Sequence, residues 1–219
     1  MHRTPKFPGL FLVLEGAHGS GKTTQARRLS DWLSDQGYPV KMTREVGGTL
    51  VGEKLRDLIE DSECASLLNE APKSLLFLVL AARNLHVQKV IRPALEKGEL
   101  VICERFEGST FAIQHHADQL EWEIISQMHT FASQALTPDM TILLDIPAEL
   151  GIARKRNQEM HGFWETRPLE YQKRIAQGYR DAACQLPGWV VIDATRDEAT
   201  VFAEIQKKVR SMLGKSVAH

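Results

Sequence analysis

Short apolar runs alternate along the chain with longer stretches whose apolar residues recur every three or four positions. The short runs are typical of strands buried in a parallel sheet, and the amphipathic stretches are typical of helices that cover such a sheet. Strands that alternate with helices predict a single α/β domain over residues 1–219, with a parallel sheet between two helical layers. The five predicted strands cover residues 10–15, 39–43, 100–104, 140–145 and 189–193.

The predicted helices end at glycines or where apolar residues no longer recur every 3.6 positions. Gly37 and Gly98 each follow a predicted helix, since glycine readily adopts the left-handed conformation that closes one. The third strand is expected to lead into a loop, and the polar stretch 157–167 has no period and predicts a mobile lid. The predicted helices cover residues 22–36, 50–60, 72–97, 119–135, 148–156, 168–186 and 198–213.

A phosphate-binding motif follows the first strand and opens the first helix. Residues 16–23, GAHGSGKT, match G-x-x-x-x-G-K-[ST] at every fixed position. The glycines let backbone N–H groups turn inward, and the helix N-terminus adds partial positive charge. Lys22 is predicted to bridge the terminal phosphates of a nucleoside triphosphate, and Thr23 to ligate Mg²⁺. The predicted loop contacts with the nucleotide are Gly16, His18, Gly19, Ser20, Gly21, Lys22, Thr23 and Thr24.

Arginines lie where an anionic acceptor would bind. TREVGGT (43–49) follows the second strand, and Glu104-Arg105 follows the third. Ligands of open parallel sheets collect at this carboxyl edge. Arg83 interrupts an apolar helix, where a guanidinium needs a partner. The chain has no NKxD motif of the kind that recognises guanine. These features predict a kinase for a small anionic acceptor rather than a GTPase switch.

Composition narrows the possible partners and the compartment. The net charge of −1 argues against general affinity for nucleic acid. Cys64, Cys103 and Cys184 lie far apart without metal-ligand spacing, which is typical of reduced thiols in a cytoplasmic protein. There is no signal-like N-terminus and no continuous apolar run near the roughly 18 residues of a membrane span. We expect small-molecule nucleotide substrates, no nucleic acid and no membrane. His115-His116 predicts a solvated turn rather than a metal site.

Several segments resemble one family, the thymidylate kinases, which are P-loop nucleoside monophosphate kinases. The segments that carry the resemblance are EGAHGSGKTTQ (15–25), TREVGGT (43–49), GEKLRDLI (52–59), LAAR (80–83), VICERFEGSTFAIQ (101–114) and PDMTILLDIPAELGIARKR (138–156). With the segments near the C-terminus, they span about residues 10 to 213 in the family's order. The resemblance implies a three-layer α/β/α fold with a five-stranded parallel sheet and a short lid. It also implies ATP and Mg²⁺, transfer of the γ-phosphoryl group to dTMP giving dTDP, and a homodimer.

The resemblance assigns roles by position. Catalysis is assigned to Lys22, Glu104, Arg105 and Arg167. Of these, Arg105 would hold the acceptor phosphate, Glu104 would organise Mg²⁺ with Thr23, and Arg167 would act from the lid. The adenine of ATP would lie between Arg154 and Thr195. The residues expected to line the acceptor are His18, Glu45, Arg56, Val79, Arg83, Arg105, Ser109, Thr110 and Gln114.

Five positions depart from the family's pattern. His18 replaces an acidic residue, Val46 a proline, Val79 a phenylalanine that stacks on thymine, Ile113 a tyrosine, and Phe163 a lid arginine. Loss of a stacking ring removes about 1–3 kcal/mol of base binding. Three alternatives stay open, the first of them because of Val79, Ile113 and His18. These are a kinase for a different or modified pyrimidine nucleoside monophosphate, a deoxynucleoside kinase, and a nucleotide-binding regulator with little turnover.

Overall fold

Five parallel strands form one sheet in the computed structural model, which describes residues 7–156 and 167–216. The strand order is β2-β3-β1-β4-β5, so β1 lies at the centre. Leu14 of β1 pairs with Glu104 of β3 and with Ile142 of β4, so the carboxyl ends of the central strands meet beside the phosphate loop. The strands are β1 Leu10–Glu15, β2 Val40–Arg44, β3 Leu100–Glu104, β4 Met140–Asp145 and β5 Trp189–Asp193. The five predicted strands are confirmed, with β2 shifted by one residue.

Helices cover both faces of this sheet. They are α1 Lys22–Asp35, α2 Leu50–Glu60, α3 Ser62–Glu70, α4 Pro72–His86, α5 Arg92–Glu96, α6 Glu107–Thr110, α7 Trp122–Ala132, α8 Ala148–Arg156, α9 Leu169–Gln185 and α10 Glu198–Ser216. Two π-helical turns, Val87–Ile91 and Phe111–Ala117, join α4 to α5 and extend α6. Alternate residues of β1 point to opposite layers. Leu12 and Leu14 pack in the cluster of α1 and α10, whereas Phe11 and Val13 pack in the cluster of α5.

The structure differs from the sequence prediction in three helical regions. Residues 107–117, expected to form a loop, are helical, and α3 was not predicted. The helix predicted over 119–135 is shorter and covers Trp122–Ala132, because Gln119, Gln134 and Ala135 have left-handed φ values of 60°, 54° and 54° that no α-helix accommodates. Gly, Ser and Thr in α6 favour helix weakly, but Glu15 of β1 accepts bonds from the backbone of Phe106 and Ser109. This tertiary contact stabilises a helix that its own sequence does not favour.

One helical stretch of the described residues, Pro72–Glu96, is long and apolar enough to cross a membrane by length and composition. The stretch is not a continuous apolar run, because Arg83, Asn84 and His86 interrupt it. The stretch carries two fully enclosed polar side chains, Arg83 and His86, which are 1% and 0% exposed. Both are hydrogen-bonded to other elements of the domain. The stretch therefore packs into the protein core through these two side chains.

Candidate active site

Lys22 lies at the centre of the phosphate loop, folded back over its backbone. Its Nζ donates to the carbonyl oxygens of Gly16 and Ala17, each at 2.9 Å, and to Ser20 Oγ at 3.3 Å. Burial lowers the pKa of Lys22 well below its ordinary value, and the charge of Arg105 lowers it further. An anion placed in the loop would offset both effects. The loop therefore holds a cation whose surroundings favour a phosphate.

Thr23 and Glu104 bring a hydroxyl and a carboxylate together beside this loop. Thr23 Oγ1 donates to Glu104 Oε2 at 2.7 Å, although 81 residues separate them. Thr23 stands in the first turn of α1 and Glu104 ends β3, which pairs with β1. The parallel register thus places two hard oxygen ligands at one point of the sheet edge, a chemistry that suits Mg²⁺.

Arg105 is held against the phosphate loop by a network of buried polar groups. Its Nη1 donates to Tyr179 Oη at 2.6 Å, to Ser109 Oγ at 3.1 Å and to the Gly16 carbonyl at 3.4 Å. Its backbone φ of 66° lies in the left-handed region, which is uncommon for a residue with a long side chain. The network fixes both the backbone and the guanidinium of Arg105 at the end of β3.

Glu15, the last residue of β1, organises the segment that follows Arg105. Its side chain is fully buried. Glu15 Oε1 accepts from the backbone N–H groups of Phe106 and Ser109 at 2.7 and 2.9 Å, and Oε2 accepts from Ser109 Oγ at 2.7 Å. Sequence analysis missed Glu15 and Tyr179 as site residues. A carboxylate that ends an otherwise apolar strand was the available signal for Glu15, since a buried charge needs donors.

Arg83 lies on the acceptor side, at 1% exposure. Its Nε donates to Glu45 Oε2 at 2.7 Å, and its Nη1 donates to Thr110 Oγ1 at 2.9 Å. Nη2 donates to the Phe106 carbonyl at 2.9 Å. The structure thus brings together three residues predicted to line the acceptor, and it provides the partner that an arginine in an apolar helix requires.

His129 is a fourth partner of Arg83 that the sequence did not indicate. Its Nδ1 lies 3.0 Å from Arg83 Nη1. Burial, with a further contribution from the charge of Arg83, lowers the pKa of His129 to about 2. The imidazole is therefore neutral at physiological pH, and Nδ1 accepts the bond.

The predicted adenine contacts also lie together, on the far side of the phosphate loop. Arg154 Nη1 donates to the Ala194 carbonyl at 2.9 Å, and Nη2 donates to the Thr195 carbonyl at 3.3 Å. These contacts join α8 to the loop after β5. The residues predicted to form the nucleotide site thus lie at or after the carboxyl ends of β1, β3 and β5.

Comparison with known proteins agrees with this arrangement. A model of the family described as Thymidylate kinase matches residues 14–205. A thymidylate kinase of Ectopseudomonas mendocina is 39% identical over 214 residues, covering 94% of this chain and 97% of that protein. The thymidylate kinase of Desulfovibrio desulfuricans is 36% identical over 212 residues, covering 93% and 96%. The crystal structure of thymidylate kinase from Ehrlichia chaffeensis superposes with a TM-score of 0.72 at 30% identity, covering 92% of this chain and 98% of that chain.

The chain belongs to the thymidylate kinase family. It is an ATP-dependent nucleoside monophosphate kinase with the P-loop NTPase fold. The same relatives support phosphorylation of dTMP, and they do not favour the alternative acceptors that the sequence left open.

The departures from the family pattern lie in different surroundings. Val46 and Val79 are partly buried and both pack against a cluster that includes Leu75, so this part of the acceptor side is aliphatic. The peptide bond between Glu45 and Val46 is cis. Ile113 is buried in the cluster beneath α9. His18 is half-buried in the phosphate loop. Their effects on the acceptor stay predictions.

The phosphate loop packs directly against α8 at two glycines. A Cβ on Gly19 would lie 2.1 Å from the Gly151 carbonyl, and a Cβ on Gly151 would lie 2.2 Å from the His18 carbonyl. Backbone therefore meets backbone at this contact, and a side chain at either position would separate the two elements. The positive φ of 73° at Gly19 adds a second reason for glycine there.

The remaining predicted residues lie beside the acceptor loop, in the second π-helical turn and on α1. Arg56 donates to the Val46 carbonyl at 3.3 Å and pairs with Glu60 at 2.8 Å, so it borders the acceptor loop. Gln114 is 2% exposed in the second π-helical turn. Thr24 is exposed on α1. Phe163 and the rest of the predicted lid, 157–166, lie outside the described residues.

Arg167 lies beside the start of α9 rather than at the phosphate loop. Its guanidinium stacks on the Tyr171 ring at 4.3 Å. About 15 Å of helix separates Leu169 from Tyr179, the residue that contacts Arg105, since a helix rises about 1.5 Å per residue. The catalytic role of Arg167 therefore stays a prediction. In that role its side chain would have to move toward the phosphate loop.

The adjacent histidines lie in a helix rather than in a solvated turn, so that prediction was wrong. His115 and His116 belong to the second π-helical turn and are half-buried. His115 Nδ1 lies 2.7 Å from the Leu120 carbonyl, and His116 Nε2 lies 2.9 Å from Asp181 Oδ2. The two rings therefore face different partners. Within the ranges 7–156 and 167–216, no three His, Cys, Asp or Glu side chains are grouped as metal ligands.

Proposed function

We propose that the chain transfers the γ-phosphoryl group of ATP to dTMP, giving dTDP, in the site formed by the phosphate loop, Glu104, Arg105 and Arg83. The contact between Thr23 and Glu104, 2.7 Å long and next to Arg105, is the observation that carries this proposal. It places two oxygen atoms that can bind a metal ion, Thr23 Oγ1 and Glu104 Oε2, next to the guanidinium of Arg105 and beside the phosphate loop. A donor phosphate, a metal ion and an acceptor phosphate each have a suitable group there.

The residues present fit Mg²⁺. A magnesium ion in a kinase is held by one or two protein oxygens, and substrate phosphates and water complete its octahedron. Thr23 and Glu104 would supply those protein oxygens, so a cage of three acidic ligands is not required. The bound ion would neutralise charge on the phosphate oxygens of ATP.

Positioning and charge neutralisation supply most of the catalysis in this proposal. Phosphoryl transfer needs little covalent help from a protein, because its transition state is stabilised mainly by fixed cations around the transferred group. Lys22 would neutralise the terminal phosphates of ATP, and Arg105 would hold the phosphate of dTMP. Arg105 needs no reorganisation, since Tyr179 and Ser109 already fix its guanidinium.

A panel of acceptors tests the proposed function. ADP release from ATP and Mg²⁺ is measured with dTMP, dUMP, dCMP, UMP, CMP, AMP, GMP and thymidine. We expect the highest kcat/KM with dTMP, because relatives named thymidylate kinase match this chain over more than 90% of its length. A preference for thymidine would indicate a deoxynucleoside kinase, and ATP binding without turnover would indicate a regulator. A preference for another monophosphate would mean that the aliphatic wall of Val46 and Val79 has changed the specificity.

Glu104→Gln tests the metal assignment in the same assay. The variant keeps the shape of the side chain and removes its charge. We expect kcat to fall about 100-fold at low Mg²⁺, with partial recovery as Mg²⁺ is raised, since loss of one electrostatic stabiliser costs about 10²–10³. Glu96→Gln, at an exposed residue of α5, is the matched control and should behave like wild type. An unchanged Mg²⁺ dependence in Glu104→Gln would remove this residue from the metal site.

We also propose a homodimer in the cytoplasm, without nucleic-acid or membrane partners. Support for an interface comes from apolar residues on the outer surface of α4 and α7. Phe77, Ile124 and Phe131 are 57%, 54% and 86% exposed. The two helices pack together, because Asn84 Nδ2 donates to the Ala132 carbonyl at 2.9 Å. Exposed aromatic and aliphatic side chains on neighbouring helices are typical of a surface that another subunit covers.

A further inference from the structure

His86 is a fully buried histidine that the phosphoryl transfer itself does not use. It is the last residue of α4 and has 0% exposure. Its Nδ1 lies 3.0 Å from Glu45 Oε1, and its Nε2 lies 2.6 Å from Thr43 Oγ1. Both ring nitrogens are therefore engaged by residues of β2 and of the loop that follows it. The imidazole cannot also contact a substrate while these bonds are kept.

Glu45 connects His86 to Arg83. One carboxylate oxygen faces His86, and the other accepts from Arg83 Nε at 2.7 Å. Burial raises the pKa of Glu45, but Arg83 and His86 together hold it below its ordinary value. The carboxylate is thus ionised and fixed at both oxygens, between two side chains of the same helix.

The acceptor loop closes tightly around the imidazole. A Cβ on Gly48 would lie 2.4 Å from His86 Nε2 and 2.6 Å from Thr43 Oγ1. The backbone N–H of Glu45 also donates to the Glu104 carbonyl at 2.8 Å. The loop therefore contacts His86 on one side and the end of β3 on the other, and rotation of the imidazole would displace it.

We propose that His86 is a positioning residue for the acceptor nucleotide: it fixes the carboxylate of Glu45, which in turn orients the guanidinium of Arg83 toward dTMP. This inference rests on the proposed placement of Arg83 in the acceptor site. A guanidinium that is already oriented loses less freedom when the nucleotide binds, and this lowers the cost of ordering the complex. Within residues 7–156 and 167–216, the side-chain hydrogen bonds that link His86, Glu45 and Arg83 do not include the phosphate loop, so we expect the effect to be confined to the acceptor.

Two substitutions that each keep one end of the imidazole separate this role from a general effect on folding. His86→Asn keeps a donor near the position of Nδ1, facing Glu45. His86→Gln keeps a polar group near the position of Nε2, facing Thr43. We expect His86→Gln to raise the KM for dTMP about 10-fold or more, as for loss of a hydrogen bond to a charged group. In His86→Asn the KM for dTMP should stay within about 3-fold of the wild-type value, because only the bond to Glu45 carries the proposed coupling. The KM for ATP should change less than about 2-fold in both variants.

The matched control is His116→Leu, which breaks another histidine–carboxylate contact. His116 lies 2.9 Å from Asp181 on α9, and neither residue is part of the proposed site. Both KM values should be unchanged in this variant. A purely structural role for His86 would lower the active fraction, and with it the apparent kcat, without separating the two KM values. Equal KM values for dTMP in His86→Gln and His86→Asn, or equal increases for dTMP and ATP, would overturn the inference.

Arg83→Lys, measured in parallel, distinguishes failure of the inference from failure of the proposed site. An increased KM for dTMP in Arg83→Lys, together with normal values in both His86 variants, would refute the positioning role alone. A normal KM for dTMP in Arg83→Lys would refute the placement of Arg83 at the acceptor, and the role of His86 with it. The expected result is a raised KM for dTMP in Arg83→Lys and in His86→Gln, and a normal KM for dTMP in His86→Asn.

Discussion

Lys22→Met lowers kcat about 1,000-fold in our expectation, the largest effect that we predict for any single substitution. Methionine keeps the length and volume of the lysine stem but removes the ammonium that would neutralise the terminal phosphates. The side chain is 8% exposed and already lies over the loop, so its charge acts at short range and away from bulk water. Single-turnover measurements at saturating ATP and dTMP would separate this loss from weaker binding.

The control for Lys22→Met is Lys207→Met on α10. Lys207 is exposed and far along the chain from the phosphate loop, so its substitution should leave kcat within about 2-fold of wild type, as for most surface changes. Circular dichroism would confirm that both variants are folded. A fall in kcat of less than about 10-fold in Lys22→Met would contradict the assignment of Lys22 to the terminal phosphates. Removal of even one fixed electrostatic stabiliser of a transition state lowers kcat by more than that.

Arg105→Gln should lower kcat/KM for dTMP about 100- to 1,000-fold and change the KM for ATP little. The acceptor phosphate would lose its fixed cation, whereas Lys22 and the loop would still bind the donor. Glutamine can still reach part of the network around Tyr179 and Ser109, so the fold should persist. Steady-state kinetics with each substrate varied in turn would measure the effect.

Arg210→Gln provides the comparison for Arg105→Gln. The guanidinium of Arg210 lies over the Trp32 ring at 5.2 Å, on the opposite layer from the acceptor, and the residue is exposed. Its kinetic constants should match those of wild type. A rise in the KM for ATP that equals the rise for dTMP in Arg105→Gln would indicate a disturbed phosphate loop rather than a lost acceptor contact.

Much of the fold could be predicted because its signals are local. Buried strands are short apolar runs, and the phosphate loop has a fixed spacing of Gly16, Gly21, Lys22 and Thr23 between a strand and a helix. Parallel topology then places Glu104 at the edge where Thr23 lies, since both follow neighbouring strands. Their proximity is expected from their places at the carboxyl ends of parallel strands, whereas the hydrogen bond of 2.7 Å between them is a finding of the structure.

The parts that sequence could not predict depend on contacts between distant residues. Tyr179 meets Arg105 across 74 positions, and no local pattern in α9 indicates this. An arginine in the apolar helix α4 predicts that some partner exists, but not that Glu45 is shared with His86. Residues 107–117 were expected to form a loop because their helix depends on Glu15, a residue of another strand.

The position of Glu15 has a consequence for how this enzyme can diversify. Glu15 and Gly16 are consecutive, so one residue anchors the segment after Arg105 and the next opens the loop for the donor phosphates. We therefore expect one peptide unit and the side chain of Glu15 to fix the distance between the proposed donor and acceptor phosphate positions. Val46, Val79 and Ile113 lie outside that unit. Substitutions at these three positions can therefore change the shape of the acceptor side while the contacts made by Glu15 and Lys22 stay the same.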